Sequence, residues 1–260
     1  MSASLFELSG KIAVVTGGTR GIGQMIATGF VKAGVKTYVT SRKAGACEST
    51  SKLLSEFGEC IGHPSDLSTV EGVGEFVSWI QTHEQKVDIL VNNAGATWGE
   101  PIEEFSEKGW DRVMDLNVKS VFFMTQKMLP LLRAGALEAG RGRVINIGSI
   151  DGLTVPMMPG NIAYPASKTA LHQLTRVLAK ALAKEQITVN TIAPGPFESK
   201  MTAFMLSTDE GKEAVGAGMP LGRIGEPDDM IGLSTFLASR AADYITGATI
   251  PLDGGYANLR

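Results

Sequence analysis

A glycine-rich bend followed by scattered cations is the first part of this chain able to hold a ligand. In Val15-Thr16-Gly17-Gly18-Thr19-Arg20-Gly21-Ile22-Gly23 the glycines recur as Gly-x-x-x-Gly-x-Gly. Residues 11–15 before it read as a buried strand, and Ile22, Met25, Ile26, Phe30 and Val31 after it follow helical spacing. A strand, a bend and a helix gather unpaired backbone N–H groups and the positive end of a helix dipole, which suits phosphate. Gly17, Thr19, Arg20, Gly21 and Ile22 are the candidate contacts. A glycine-rich turn without a ligand is the competing account, and the place at the first strand–helix junction favours phosphate. The second strand, residues 35–40, ends in Ser41-Arg42-Lys43 with no carboxylate. An acidic residue there would select NAD; Ser41 leaves room, and Arg42 with Arg20 can hold a 2′-phosphate. NADP(H) is therefore expected over NAD, the alternative being a merely solvated strand end.

A second set of reactive groups lies further on. A fifth strand, residues 144–149, ends in the hydroxyl of Ser149. Tyr164-Pro165-Ala166-Ser167-Lys168 opens a helix in which Tyr164 and Lys168, four apart, share a face. Asp66 follows a short third strand and could accept from an adenine amino group or cap the next helix. A central strand, residues 87–91, runs into Asn92-Asn93-Ala94-Gly95, which suggests close approach by a ligand or a plain turn. Asn117 sits among apolar neighbours in a long helix that Pro130 and Gly135 are expected to end, so its amide is either a local hydrogen-bonding device or functional.

Elements to position these groups alternate as strand and helix throughout, without repeat or linker, so one doubly wound α/β Rossmann-type domain of about seven parallel strands is expected over residues 1–260. Residues 1–145 would mainly bind the dinucleotide and 146–260 would carry catalysis and substrate binding. Residues 202–220 read as an irregular, mobile insert and a possible lid. Apolar residues make up 43% and charged residues 20%, with a net charge of −3. This speaks against nucleic acid and anionic membranes as partners, and no apolar run reaches the roughly 18 residues of a membrane span. The first ten residues lack the layout of a secretory signal. Cys47 and Cys60 fit neither a disulfide framework nor a metal site, and His63, His83 and His172 lack ligand spacing, so a reduced, cytoplasmic protein without metal is expected.

Thr16-Gly17-x-x-x-Gly21-Ile22-Gly23, Asn92-Asn93-Ala94-Gly95, Asn117, Ser149, Tyr164-x-x-x-Lys168 and Pro194-Gly195 occur together and in order. As a set they resemble the short-chain dehydrogenase/reductases, over essentially the whole chain. Gly222-Arg223-Ile224-Gly225 and Tyr244-Ile245-Thr246-Gly247 are similar to 3-oxoacyl-carrier-protein reductases, and Gly17 to Met25 and Ala193 to Thr202 to their rhamnolipid-associated branch. The resemblance implies Tyr164 as general acid, its pKa lowered by Lys168 with an oxidised nicotinamide. It implies Ser149 on the substrate oxygen and Asn117 anchoring a water in a proton relay. Lys168 would also bond the nicotinamide ribose, with Pro194 and Gly195 framing the ring; Asp66, Leu67, Asn93, Ala94 and Gly95 complete the cofactor contacts. Tetramers are usual in the family.

Two features depart from the family pattern. The interval from Ser149 to Tyr164 is longer than usual, adding Pro156, Met157 and Met158 over the pocket. Lys184 and Glu185 stand where carrier-protein reductases tend to have Arg, with Arg141 and Arg143 as possible substitutes for docking an acyl-carrier protein. Trp98, Met157, Met158, Phe197, Met201, Phe204 and Met205 would line an apolar pocket suited to an acyl chain, or would pack the loops. NADPH-dependent reduction of a 3-oxoacyl thioester is expected. The rivals are oxidation of a sugar or other polyol, and an NADP-binding sensor or structural subunit without turnover.

Overall fold

The computed structural model describes residues 5–156 and 160–259. Seven parallel strands, β1 (Ile12–Thr16), β2 (Lys36–Ser41), β3 (Cys60–Pro64), β4 (Ile89–Asn92), β5 (Gly142–Ile147), β6 (Ile187–Pro194) and β7 (Thr249–Leu252), form one sheet in the order β3-β2-β1-β4-β5-β6-β7. The alternation of side chains along each strand divides the core in two. Ala13, Val15, Val39, Val91 and Ile145 face α1 (Gly21–Lys32) and α9 (Pro227–Ala238) through Ile26, Phe30, Met230 and Leu237. Val14, Leu90, Val144 and Val189 face α3 (Val70–His83), α5 (Ser120–Ala139) and α6 (Ala163–Leu182) through Phe76, Ile80, Met128, Leu132 and Leu182. A sheet covered on both faces by helices explains why its central strands are almost wholly apolar.

The chain reverses direction across the sheet between β1 and β4, which lie side by side. In open α/β sheets the crevice at such a switch point, outside the carboxyl ends of the strands, is where ligands bind. Both the glycine bend after β1 and Asn93-Ala94-Gly95 after β4 open onto it.

Three expectations change. Helix α5 does not stop at Pro130 or Gly135 but runs to Ala139, with Gly140 at φ 81° closing it. Burial of Met124, Met128, Leu131 and Leu132 outweighs the one hydrogen bond that Pro130 removes. Gly135 is instead a point of close approach, since a Cβ there would lie 2.3 Å from the Val87 carbonyl oxygen. Residues 202–220 are largely helical, with α7 (Ala203–Leu206) and α8 (Asp209–Ala217), and the Thr202 hydroxyl ties their start to Ser199 and the Phe197 carbonyl. Asp66 does not cap α3: Thr69 does, accepting from Gly72 N–H at 3.0 Å, because it occupies the extended residue at the helix start. The remaining helices are α2 (Ala44–Leu54), which leads from the Arg42 loop, and α4 (Glu107–Met114), which runs through a wide π-type turn at Asp115–Lys119 into α5.

Candidate active site

The glycine bend is held in shape by its neighbours. Gly17 and Gly21 have φ of 63° and 52°, the left-handed region that side chains disfavour. The Thr16 hydroxyl accepts from the N–H groups of Asn93 and Ala94 at 2.9 and 3.0 Å, and the Asn93 amide donates to the carbonyls of Thr16 and Gly17. Asn93 therefore braces the loop, and its side chain is spent there. At the start of α1, Arg20 is extended and provides no side-chain cap, and no acidic residue occupies the first turn. Thr69, Ser106 and Thr208, by contrast, cap α3, α4 and α8. The N–H groups at the start of α1 are thus left for an anion, as a phosphate cradle requires.

The register of β1 with β2, Thr16 opposite Thr40, brings Ser41 and Arg42 beside this bend. Arg20 and Arg42 are exposed and make no ion pair with described residues. Two exposed guanidinium groups near an uncapped helix start fit a phosphorylated nucleotide. Asp66 accepts from the Ser68 N–H and hydroxyl; although burial opposes it, these bonds and Arg42 hold its carboxyl below the ordinary value. Leu67 is buried, in the same core cluster as Phe76.

Ser149 lies two residues beyond β5, extended, and its hydroxyl accepts from Asp151 N–H at 3.1 Å at the start of a single turn, Ile150–Gly152. The Ser149 hydroxyl lies close enough to the Tyr164 phenol to favour its ionised form. Lys168 is buried one helical turn along α6; its ammonium donates to the Ile147 carbonyl at 2.7 Å and lies 5.5 Å from the centre of the Tyr164 ring. The three groups foreseen from the sequence therefore meet at the carboxyl end of β5. Burial pushes the Tyr164 phenol up to about 12, Ser149 opposing and Asp151 assisting. Burial also draws Lys168 down to about 8 against the pull of Asp151.

Asn117 sits in the π-type turn, buried, with its amide fully engaged. It accepts from Ala96 N–H at 2.8 Å and donates to the Ala96 carbonyl and the Ser167 hydroxyl, each at 2.9 Å. Ser167 in turn donates to the Tyr164 carbonyl at 2.7 Å. Asn117 thus links the loop after β4 to the first turn of α6. Such wide turns recur at functional sites because they re-aim backbone groups. Beneath the site a polar chain unforeseen from the sequence crosses the sheet, from Asn92 through Asn146 and Thr175 to Thr191. The strand register sets Asn92, Asn146 and Thr191 side by side, and the packing of α6 on the sheet adds Thr175.

The expected pocket lining is corrected in part. Phe197 is core, 2% exposed, and its ring fills the space left by Gly225. Trp98 packs its ring on Gly109 and under the Arg112 guanidinium, 5.2 Å away. Met201 and Phe204 are exposed. Met157 and Met158 lie outside the described residues. Gly195 abuts Asp253, whose carboxylate ties down Gly255 and Ala257, so Pro194 and Gly195 form a rigid corner at the end of β6. Arg143 is not free for a carrier protein, being buried and bonded to Asp243, the Ser239 carbonyl and Thr188. Arg141 also faces Asp243.

Among the described residues no cluster of His, Cys, Asp or Glu could hold a metal ion, and no helix is long and apolar enough to cross a membrane. Residues 17–257 match the family described as enoyl-(acyl carrier protein) reductase. The chain is 47% identical over 251 residues to the rhamnolipids biosynthesis 3-oxoacyl-[acyl-carrier-protein] reductase of Pseudomonas aeruginosa, covering 96% of this chain and 98% of that protein. It is 37% identical over 260 residues to the 2-dehydro-3-deoxy-D-gluconate 5-dehydrogenase of Escherichia coli, covering 98% and 99%. The Pseudomonas aeruginosa RhlG/NADP active-site complex superposes with a TM-score of 0.93 at 47% identity, covering 97% and 98%. With fold, site and sequence agreeing over nearly its whole length, the chain belongs to the short-chain dehydrogenase/reductases of the enoyl-(acyl carrier protein) reductase family.

Proposed function

We propose that the protein is an NADP-dependent oxidoreductase that reduces the ketone of a 3-oxoacyl thioester to a secondary alcohol. The observation that carries this reading is the meeting of Ser149, Tyr164 and Lys168 beside an uncapped glycine cradle. NADPH supplies the hydride to the carbonyl carbon. Ser149 then holds the carbonyl oxygen where negative charge develops, and Tyr164 gives that oxygen its proton. Lys168 supplies positive charge on the same face, and Asn117 fixes the first turn of α6 in register with the loop after β4. The relatives named above, one of them a 3-oxoacyl reductase and one an NADP complex, support the reading. Steady-state assays with a short 3-oxoacyl thioester test it: NADPH should be consumed, and no consumption would remove this substrate class. A homotetramer in the cytoplasm goes with the same reading. Docking of an acyl-carrier protein loses the support of Arg143, so free thioesters are the expected substrates in vitro.

The cofactor choice rests on Arg42 and Arg20. Replacing Arg42 with alanine should lower the kcat/KM ratio of NADPH to NADH about tenfold, the loss of one charge-assisted phosphate contact. An unchanged ratio would place the 2′-phosphate elsewhere.

Direction can be tested by pH. A phenol near 12 holds its proton at neutral pH, ready to donate. Lys168 keeps its ammonium below about 8 and loses it above. Reductive kcat/KM is therefore expected to be flat up to about pH 8 and to fall beyond it, whereas oxidation of a secondary alcohol should rise with pH as phenolate accumulates. The polyol reading, supported by the gluconate dehydrogenase relatives, would gain if oxidation outran reduction at neutral pH.

A further inference from the structure

We propose that Asp151 is a specificity residue, a charge filter that admits neutral ketones and turns away those bearing an anionic group near the carbonyl. The proposal rests on the ketone-reductase reading above. Asp151 lies two residues past Ser149 and donates its N–H to the Ser149 hydroxyl at 3.1 Å. Its turn has no room to swing away from the site. A Cβ on Gly152 would stand 2.8 Å from the Lys168 carbonyl carbon and 2.9 Å from Thr169 N, and the Thr169 hydroxyl donates to the Gly152 carbonyl. Behind the turn His172 is packed against the positions a Cβ would take on Gly148 and Gly152.

The carboxylate itself is half-buried yet makes no hydrogen bond or ion pair with any described residue. Lys168, the nearest cation by its influence, gives its ammonium to the Ile147 carbonyl instead. Burial pushes the Asp151 carboxyl up while Lys168 draws it back. A charge withdrawn from water and left unmatched by the protein is costly, and it gains nothing for the fold. Its field nevertheless reaches both Tyr164 and Lys168. A substrate set for reduction between them lies within the same reach. There a second carboxylate is repelled at low effective dielectric, while an amide N–H or hydroxyl meets an open acceptor. The thioester arm of an acyl substrate is neutral in this region. The gluconates from which several relatives take their names carry a carboxylate, so the filter separates the two substrate readings that the fold alone leaves together.

The test compares a matched pair of 3-oxo compounds, methyl acetoacetate (neutral) and acetoacetate (anionic), at neutral and mildly alkaline pH. In the wild type the anion-to-neutral ratio of kcat/KM should be low, and it should rise when salt screens the carboxylate. Asp151→Asn should raise that ratio roughly ten- to a hundred-fold, Asp151→Ser should act in the same sense, and Asp151→Glu should keep it low. A ratio that stays put in both neutral variants overturns the filter. So does a parallel change with both ketones accompanied by a shifted pH profile, which would make Asp151 a partner of Lys168 only. If the wild type consumes no NADPH with the neutral ester, the reductase reading fails first and the filter with it.

Discussion

Tyr164→Phe is expected to lower kcat/KM for ketone reduction by about a hundred- to ten-thousand-fold while leaving NADPH affinity and melting temperature close to wild type. The substitution keeps the ring over which Lys168 lies and deletes only the hydroxyl. Among the described residues none of the other groups discussed at the site is placed to supply the proton instead. Lys168 is turned towards Ile147, Asn117 is consumed by Ala96 and Ser167, and the nearest carboxyl, Asp151, is an acceptor when ionised. A large loss in turnover with intact cofactor binding, measured by fluorescence titration, separates a catalyst from an NADP-binding sensor, whose behaviour would not depend on that hydroxyl. Equal turnover in the two proteins would dismiss Tyr164 as the acid.

Gly23→Ala should be the most damaging change at the cofactor end. A Cβ at Gly23 would sit 2.3 Å from the Asn93 amide nitrogen and 2.4 Å from the Gly17 carbonyl oxygen. The second contact is with backbone and cannot relax without opening the bend. Asn93 would be displaced from the two carbonyls it braces. Two lost hydrogen bonds and the overpacking together are worth about 3 kcal/mol. That corresponds to a melting temperature lower by roughly 6–12 °C and to NADPH binding weakened by about a hundred-fold where the fold survives. Gly45→Ala is the control: nothing lies within 4 Å of its Cβ, and it sits in α2, where alanine is the better helix former. Equal behaviour of the two variants would contradict the brace.

Groups that act through local spacing were legible before the fold. The glycine bend is a local strand–turn–helix event, and Tyr164 and Lys168 share a face because four residues make about one helical turn. The sheet followed from apolar runs that only a doubly covered strand tolerates. What escaped was set by register and by packing across the sheet. The Asn93 side chain serves as a brace, because its amide finds the Thr16 and Gly17 carbonyls 77 and 76 residues away along the chain. Phe197 looked like pocket lining and is core, because Gly225 leaves a hole of its size on a distant loop. Arg143 looked like a surface cation and is buried opposite Asp243. Pro130 looked like a helix end, since local propensity cannot weigh the burial of the residues around it. Asp151 carried no signal at all: a carboxylate two residues past a serine is ordinary until the fold removes its partners.

The chemistry itself is tested most directly by following the hydride. Reduction of a short 3-oxoacyl thioester with NADPH carrying deuterium at the transferable position of its nicotinamide should give one carbon-bound deuterium, on the carbon that bears the new hydroxyl, with the oxygen-bound hydrogen drawn from solvent. A product without carbon-bound deuterium, or with deuterium on a carbon other than the former ketone, would contradict carbonyl reduction at this site.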